Sequence, residues 1–130
     1  MPDFRVPVIA WRRALGDFKY AKEWRGKLML CTYNLDDGKT TEREVFTLDE
    51  ILSMKYSPSG QQLVLSAVDN GQTDIYLYYN IGNRQERLTD DVFGDFDPSF
   101  SKDGNRIVFT SNRPDDTLRT KPEPIVLGQN

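Results

Sequence analysis

The feature that most limits what this chain can fold into is a segment that occurs twice. Tyr56-Ser57-Pro58-Ser59-Gly60-Gln61-Gln62-Leu63-Val64-Leu65-Ser66 returns 44 residues later as Phe100-Ser101-Lys102-Asp103-Gly104-Asn105-Arg106-Ile107-Val108-Phe109-Thr110. Each copy reads aromatic, Ser, two turn residues, Gly, two polar residues, three apolar residues and a hydroxyl. Self-similarity at a fixed period means that one supersecondary unit is stacked several times. The flanks repeat as well. Lys27-Leu28-Met29-Leu30-Cys31-Thr32-Tyr33-Asn34 resembles Asp74-Ile75-Tyr76-Leu77-Tyr78-Tyr79-Asn80 at an offset of 46 to 47, which puts a small insertion in the turn near Asp36-Asp37-Gly38. Glu42-Arg43-Glu44-Val45-Phe46 then parallels Arg84-Gln85-Glu86-Arg87-Leu88.

Each repeated segment reads as a strand on its own terms. Leu63-Val64-Leu65 and Ile107-Val108-Phe109 are short continuous apolar runs between turn signals, as expected of a strand buried on both faces. Ser57-Pro58-Ser59-Gly60 and Ser101-Lys102-Asp103-Gly104 supply hairpin turns with glycine where φ must be positive. Asp69-Asn70-Gly71 and Asn80-Ile81-Gly82-Asn83 do the same elsewhere. A four-stranded unit of about 40–50 residues, with no wet face on its middle strands, describes a β-propeller blade.

The expected fold is therefore all-β, a partial β-propeller of about two four-stranded antiparallel blades plus an irregular N-terminal insertion. With strands lettered a to d outward from the propeller axis, 28–33 is c, 43–47 d, 51–56 a and 62–67 b. The next set is 75–79 (c), 85–89 (d), 97–100 (a) and 106–110 (b). The segment Val6–Arg12 is expected as the b strand before the first c, and Ala14–Trp24 as an irregular or short helical insertion. This divides the chain into an incomplete blade strand with an aromatic and basic insertion (1–24), two repeats (25–113) and a Pro-rich tail (114–130). In the tail, Ile125-Val126-Leu127 is a candidate edge strand. Such an open stack leaves apolar faces and strand edges uncovered, which favours self-association or a place in a longer propeller.

The second copy, Arg87-Leu88-Thr89-Asp90-Asp91, Asp95-Phe96-Asp97-Pro98-Ser99-Phe100-Ser101-Lys102-Asp103-Gly104 and Ile107-Val108-Phe109-Thr110-Ser111-Asn112-Arg113, resembles a TolB-type propeller repeat. In that pattern a Leu-Thr pair closes the outer strand, an Asp-Pro-x-aromatic-Ser-x-Asp-Gly run forms the inner strand and turn, and an Ile-x-Phe-x-Ser-x-Arg run follows. Asp95, Asp97, Pro98, Asp103, Gly104 and Arg113 carry the motif. The first copy departs from it, with Ser53-Met54 in place of Asp-Pro. Ile9-Ala10-Trp11-Arg12, Arg25-Gly26-Lys27, Ser66-Ala67-Val68 and Ser111-Asn112-Arg113-Pro114 more narrowly resemble envelope proteins of Bacteroidota. The resemblance implies a periplasmic or cell-envelope location and protein partners.

Composition bears on function mostly by exclusion. The chain has no histidine, which removes Ser-His-Asp and Cys-His catalysis and the usual His/Cys zinc sites from these residues. Cys31 is the single cysteine and reads as a buried small hydrophobe. The net charge of −3, with acids and bases interspersed, lacks the basic footprint of a nucleic-acid binder. No apolar run approaches a spanning helix, and Met1-Pro2-Asp3-Phe4-Arg5 lacks the order of a signal peptide. No enzyme activity and no cofactor are expected.

Two clusters are candidate sites. Trp11, Phe18, Tyr20 and Trp24, with Arg12 and Arg13, combine the residue types enriched in binding hot spots, and they form the candidate partner surface. The same residues would also serve as a plug over the blade faces. Asp90, Asp91, Asp95, Asp97 and Asp103 are dense enough for a hard cation. No Asp-x-Asp-x-Asp-Gly loop is present, so turn capping, with Arg113 as a charge partner, accounts for them better, and no metal site is assigned. Two functions lead: a non-catalytic protein-interaction propeller, or the propeller gate of a prolyl-oligopeptidase-like peptidase whose catalytic domain lies outside these residues. A carbohydrate- or metal-binding lectin-like module is a third reading, to which the sequence gives little.

Overall fold

A computed structural model of the chain describes residues 8–45, 47–90, 93–112 and 123–128. Among the described residues, eleven strands form three antiparallel sheets. The first, blade 1, runs β1 (Ile9–Arg12), β2 (Asp17–Trp24), β3 (Lys27–Asn34) and β4 (Thr40–Glu44). Blade 2 runs β5 (Glu50–Tyr56), β6 (Gln62–Asp69), β7 (Gln72–Tyr79) and β8 (Arg84–Arg87). In blade 3, β10 (Arg106–Ser111) lies between β9 (Asp95–Phe100) and β11 (Glu123–Gly128). The all-β, propeller-like architecture expected from the repeat is present.

The blades stack because their middle strands are apolar on both sides. Successive side chains of a strand point to opposite faces. Leu63, Leu65 and Ala67 of β6, with Tyr76 and Tyr78 of β7, pack with Ala10, Leu30 and Val45 of the blade 1 side. Val64, Ile75 and Leu77 take the opposite face and meet Ile107 and Phe109 of blade 3. Leu63, Val64, Leu65, Ile75 and Ile107 are fully buried. At about 1.5–3 kcal/mol for each large side chain taken out of water, these two layers dominate the stability of the stack.

The N-terminal segment differs from expectation. Ile9–Arg12 is the innermost strand a rather than b, and Asp17–Trp24 is a full strand b, paired with β3 from Asp17↔Asn34 to Trp24↔Lys27. Only Arg13–Leu15 is helical, as one 3-10 turn that ends at Gly16. Blade 1 thus has four strands, and the division after residue 24 falls at a tight hairpin turn. That turn is Arg25-Gly26, with φ of 51° and 77°; blade 2 repeats it in Asn70-Gly71, at 53° and 80°. Positive φ at both central residues is what a right-twisted two-residue hairpin requires.

Pairing also corrects the period in this part. Trp11↔Phe18 corresponds to Tyr56↔Leu63, Tyr20↔Cys31 to Leu65↔Tyr76, and Tyr33↔Thr40 to Tyr78↔Gln85, a uniform shift of 45 residues. No insertion is needed near Asp36-Asp37-Gly38. Between blades 2 and 3 the 44-residue offset holds, since Tyr56↔Leu63 becomes Phe100↔Ile107. The inner strands of both blades are bulged, at Leu52 in β5 and, just past the equivalent position, at Asp97-Pro98 in β9. Ile125-Val126-Leu127 lies in β11 and extends the sheet from β10.

The turn glycines are not equivalent in what a side chain would cost. Gly60 has φ 75°, and a Cβ there would lie 2.8 Å from Cδ of Arg12. Gly71 has φ 80° with nothing within 4 Å. Gly71→Ala should therefore cost about 1 kcal/mol from backbone conformation alone, and Gly60→Ala about 2–3 kcal/mol. Urea unfolding of the two variants should rank them in that order.

Candidate functional site

Alternation along β2 sorts the N-terminal aromatic residues. Phe18, Tyr20, Lys22 and Trp24 share one face, and Asp17, Lys19, Ala21 and Glu23 the other. Cross-strand pairing puts Trp11 beside Phe18, Ile9 beside Tyr20, Tyr33 beside Phe18 and Cys31 beside Tyr20. Ring centroids lie 4.6 Å apart for Trp11–Phe18, 5.5 Å for Phe18–Tyr33 and 6.0 Å for Phe18–Tyr20. These tilted pairs hold a continuous aromatic surface on the side of blade 1 away from blade 2. Ile9, Phe18, Tyr20, Ala21 and Tyr33 line a shallow depression of about 390 Å³ on it. Trp11 is 53% exposed, which is unusual for a side chain of its size.

Trp24 sits farther along the same face, 48% exposed, with the Arg25 guanidinium 4.4 Å from its ring centroid. Lys22 lies between it and the aromatic cluster, paired with Glu42 at 3.0 Å, and Lys27 lies directly across from Trp24, paired with Glu44 at 3.7 Å. The surface is thus an apolar patch with a charged border, as interaction surfaces are commonly built. Cys31 lies beneath it, fully buried, and burial pushes its thiol up. Tyr33 belongs to the cluster although sequence alone did not single it out with the others.

Arg12 points elsewhere. Its Nε and Nη2 donate to the two oxygens of Asp17 at 2.8 and 2.5 Å, and Nη1 donates to the Gly60 carbonyl at 2.9 Å. Its guanidinium also lies 5.3 Å from the Tyr56 ring centroid. Arg12 therefore bolts blade 1 to the turn of blade 2 and is not part of the aromatic surface. Arg13 is exposed on the 3-10 turn and lines a second depression with Trp11, Gly16, Asp17 and Leu35. The hydrogen bond from Arg12 holds the Asp17 carboxyl below its ordinary value of 3.8, against opposing burial. Burial lowers the Lys19 ammonium, which donates to Thr32 Oγ1 at 2.5 Å. Burial also pushes the Tyr56 phenol up to about 12.

A second ionic bolt lies within blade 2. Asp74 is fully buried and accepts from Arg87 Nη2, from Gln72 Nε2 at 2.7 Å and from Thr89 Oγ1 at 3.2 Å. Arg87 also approaches Asp69 and Asp90 at 3.8 and 3.4 Å. Three side chains thus direct donors at this one buried carboxylate.

The acidic cluster does not converge. Asp103 accepts from Ser101 Oγ at 2.6 Å and from the Asn105 amide at 2.9 Å, within the turn that Gly104 closes. Asp90 joins the Arg87 network. Asp95 is fully buried, its carbonyl accepting from Ser66 Oγ at 2.8 Å, and Pro98 is fully buried in the bulge. Asp97 stands exposed in that bulge at φ 51°, in place of the turn cap expected of it. Asp91 and Arg113 lie outside the described residues. Among the described residues no three acids, cysteines or histidines are grouped as a metal would need. No described helix is long and apolar enough to cross a membrane.

With three stacked sheets and two interblade layers in place, the chain is a β-propeller segment. Comparison with known structures refines this. A protein assigned as TolB from Agrobacterium tumefaciens superposes over 92% of this chain at TM-score 0.71 with 22% identity. TolB from Acinetobacter baumannii does so over 94% at TM-score 0.72 with 15% identity. The tricorn protease covers 93% at TM-score 0.66 with 17% identity. The fold is that of a TolB-like β-propeller, of which this chain holds a part. It spans 44%, 29% and 13% of those three chains. An uncharacterized protein of Agrobacterium fabrum is 36% identical over 56 residues, which is 43% of this chain and 19% of that protein. No family model matches the sequence. Agrobacterium and Acinetobacter lie outside Bacteroidota, so the narrower likeness to that group gains no support.

The two bolts give separable outcomes. The Asp17 pKa is lower folded than unfolded, so its stabilisation is complete above the unfolded value and is lost as pH falls through the depressed folded one. Asp17→Asn should therefore flatten the acid limb of stability between about pH 5 and about pH 2, read by denaturant midpoints at each pH. Asp74→Ala leaves the Gln72 and Thr89 donors without their acceptor and Arg87 with its longer contacts to Asp69 and Asp90, and should cost about 1–3 kcal/mol at neutral pH. Asp74→Asn, which keeps the shape, should cost less in the same assay.

Proposed function

We propose that this chain is a non-catalytic protein-binding segment of a TolB-like propeller that works in the periplasm or cell envelope. The observation that carries the reading is the exposed aromatic face of blade 1, built by Trp11, Phe18, Tyr20 and Tyr33 on a rigid four-stranded sheet. Large rigid aromatic side chains anchor protein contacts at low cost in conformational entropy. Trp24 extends that surface beyond its charged border, and Arg13 flanks it. The fold shared with two TolB structures supports both the envelope location and the binding role.

The likeness to the tricorn protease raises the gate of a peptidase as a second reading. The chain supplies no histidine for a Ser-His-Asp arrangement, so hydrolytic residues would have to come from elsewhere. The aromatic face favours binding, and the purified chain is expected to leave peptide substrates intact.

A photo-crosslinking side chain placed at Trp11 should give protein adducts in envelope-containing cells, whereas the same group at exposed Lys55, on β5 of blade 2, should give few. Equal labelling from the two positions, or steady hydrolysis of a peptide library by the purified chain, would count against the reading.

A further inference from the structure

We propose that the aromatic face of blade 1 is covered by the outward face of blade 3 from a second copy of this chain, head to tail. The inference rests on the protein-binding reading above and names its partner. It follows from which face of each blade is covered, and by what.

Each blade has a rear face and a forward face. Tyr56, Leu63, Leu65, Tyr76 and Tyr78 form the rear of blade 2, packed with residues of blade 1. Phe100, Ile107 and Phe109 form the rear of blade 3, packed against the forward face of blade 2, which presents Val64, Ile75 and Leu77. The 45-residue shift carries the rear of blade 2 onto Trp11, Phe18, Tyr20, Cys31 and Tyr33. The aromatic surface is therefore the rear face of blade 1. Four of its register equivalents are sealed, Leu63 and Leu65 at 0% exposed, Tyr76 at 3% and Tyr78 at 4%, and Tyr56, the equivalent of Trp11, is partly buried. Forward faces cover rear faces throughout this molecule.

Blade 3 has a forward face of its own. Val108 and Thr110 alternate with the buried Ile107 and Phe109 and so point away from blade 2. They occupy the positions of Val64 and Ser66, which cover blade 3 from blade 2, and both are only partly buried. Among the described residues, the rear of blade 1 is the rear face without a blade on it, and the forward side of blade 3 is the forward face without one. Their sizes complement each other. Bulky Trp11 and Phe18 stand where blade 2 has Tyr56 and Leu63, while Val108, Thr110 and Ser99 offer a low surface for them. One molecule presents both halves, so the contact is heterologous: it closes a ring where the rotation allows and grows further where it does not.

Sedimentation velocity over a wide concentration range tests this with single variants on opposite faces. The wild-type chain should gain mass with concentration. Phe18→Asp and Val108→Asp should each raise the dissociation constant by about thirty-fold or more. An equimolar mixture of the two should recover a dimer and nothing larger, because each variant retains the face the other lacks. Circular dichroism and melting would establish that both fold, and Trp11→Ala, at an exposed position, with Thr110→Arg repeats the test if either does not. A wild-type chain that stays monomeric overturns the proposal. So does association that Phe18→Asp abolishes and Val108→Asp leaves intact, which would mean rear-to-rear contact. A monomer that still gives adducts from position 11 in cells overturns the second copy as partner but keeps the protein-binding reading. A monomer without adducts sinks both.

Discussion

Leu63, Leu65 and Ala67 press one way out of β6 while Val64 presses the other, and both directions end on another sheet. Everything else in the molecule depends on this two-sided burial of blade 2. A lone four-stranded sheet could alternate apolar and polar residues and leave one face wet. Here the central sheet has no wet face, so blade 2 cannot exist without neighbours, and the neighbours acquire a fixed orientation from it. The bolts at Arg12–Asp17 and Asp74–Arg87 add direction to a driving force that has none of its own. The first ties the 3-10 turn of blade 1 to the Gly60 turn of blade 2, and the second locks the outer strand of blade 2 to its neighbour.

Blades 2 and 3 were legible because burial on both faces leaves continuous apolar runs, and because Gly60 and Gly104 mark homologous turns. Blade 1 was harder to read. Its strand b does alternate, with Phe18, Tyr20 and Trp24 against Asp17, Lys19 and Glu23, but the rear positions of that strand are aromatic where strand b of blade 2 has Leu63 and Leu65. Matching by residue class therefore fails on a segment that matches in register. Gly16 lies 44 residues before Gly60, which hints at a third turn. The hairpin it belongs to is nevertheless one residue out of step with the strands around it, which run at 45.

The candidate residues divide along the same physical line. Trp11, Phe18, Tyr20 and Trp24 share a face because alternate positions of one strand and their cross-strand partners must do so. Arg12 belongs with the opposite side by the same parity, although composition alone groups it with them. Its carboxylate partner is five positions away across a hairpin, a relation visible only once that hairpin is known. The aspartates of the second copy look alike in sequence and take different places: one in a turn, one at an arginine, one buried, one in a bulge.

Because each blade touches only the blade before it and the blade after it, the stack behaves as a short one-dimensional lattice with two couplings. Blade 2 carries both, and the end blades carry one each. Fluctuations that peel an end blade away break a single layer, whereas loosening the middle breaks two at once. Sequence drift should accordingly weigh most lightly on the outer strands and loops of the ends and most heavily on β6 and β7. The same arithmetic makes a stack of this kind extensible, since a further blade, wherever it comes from, adds one coupling without altering the others.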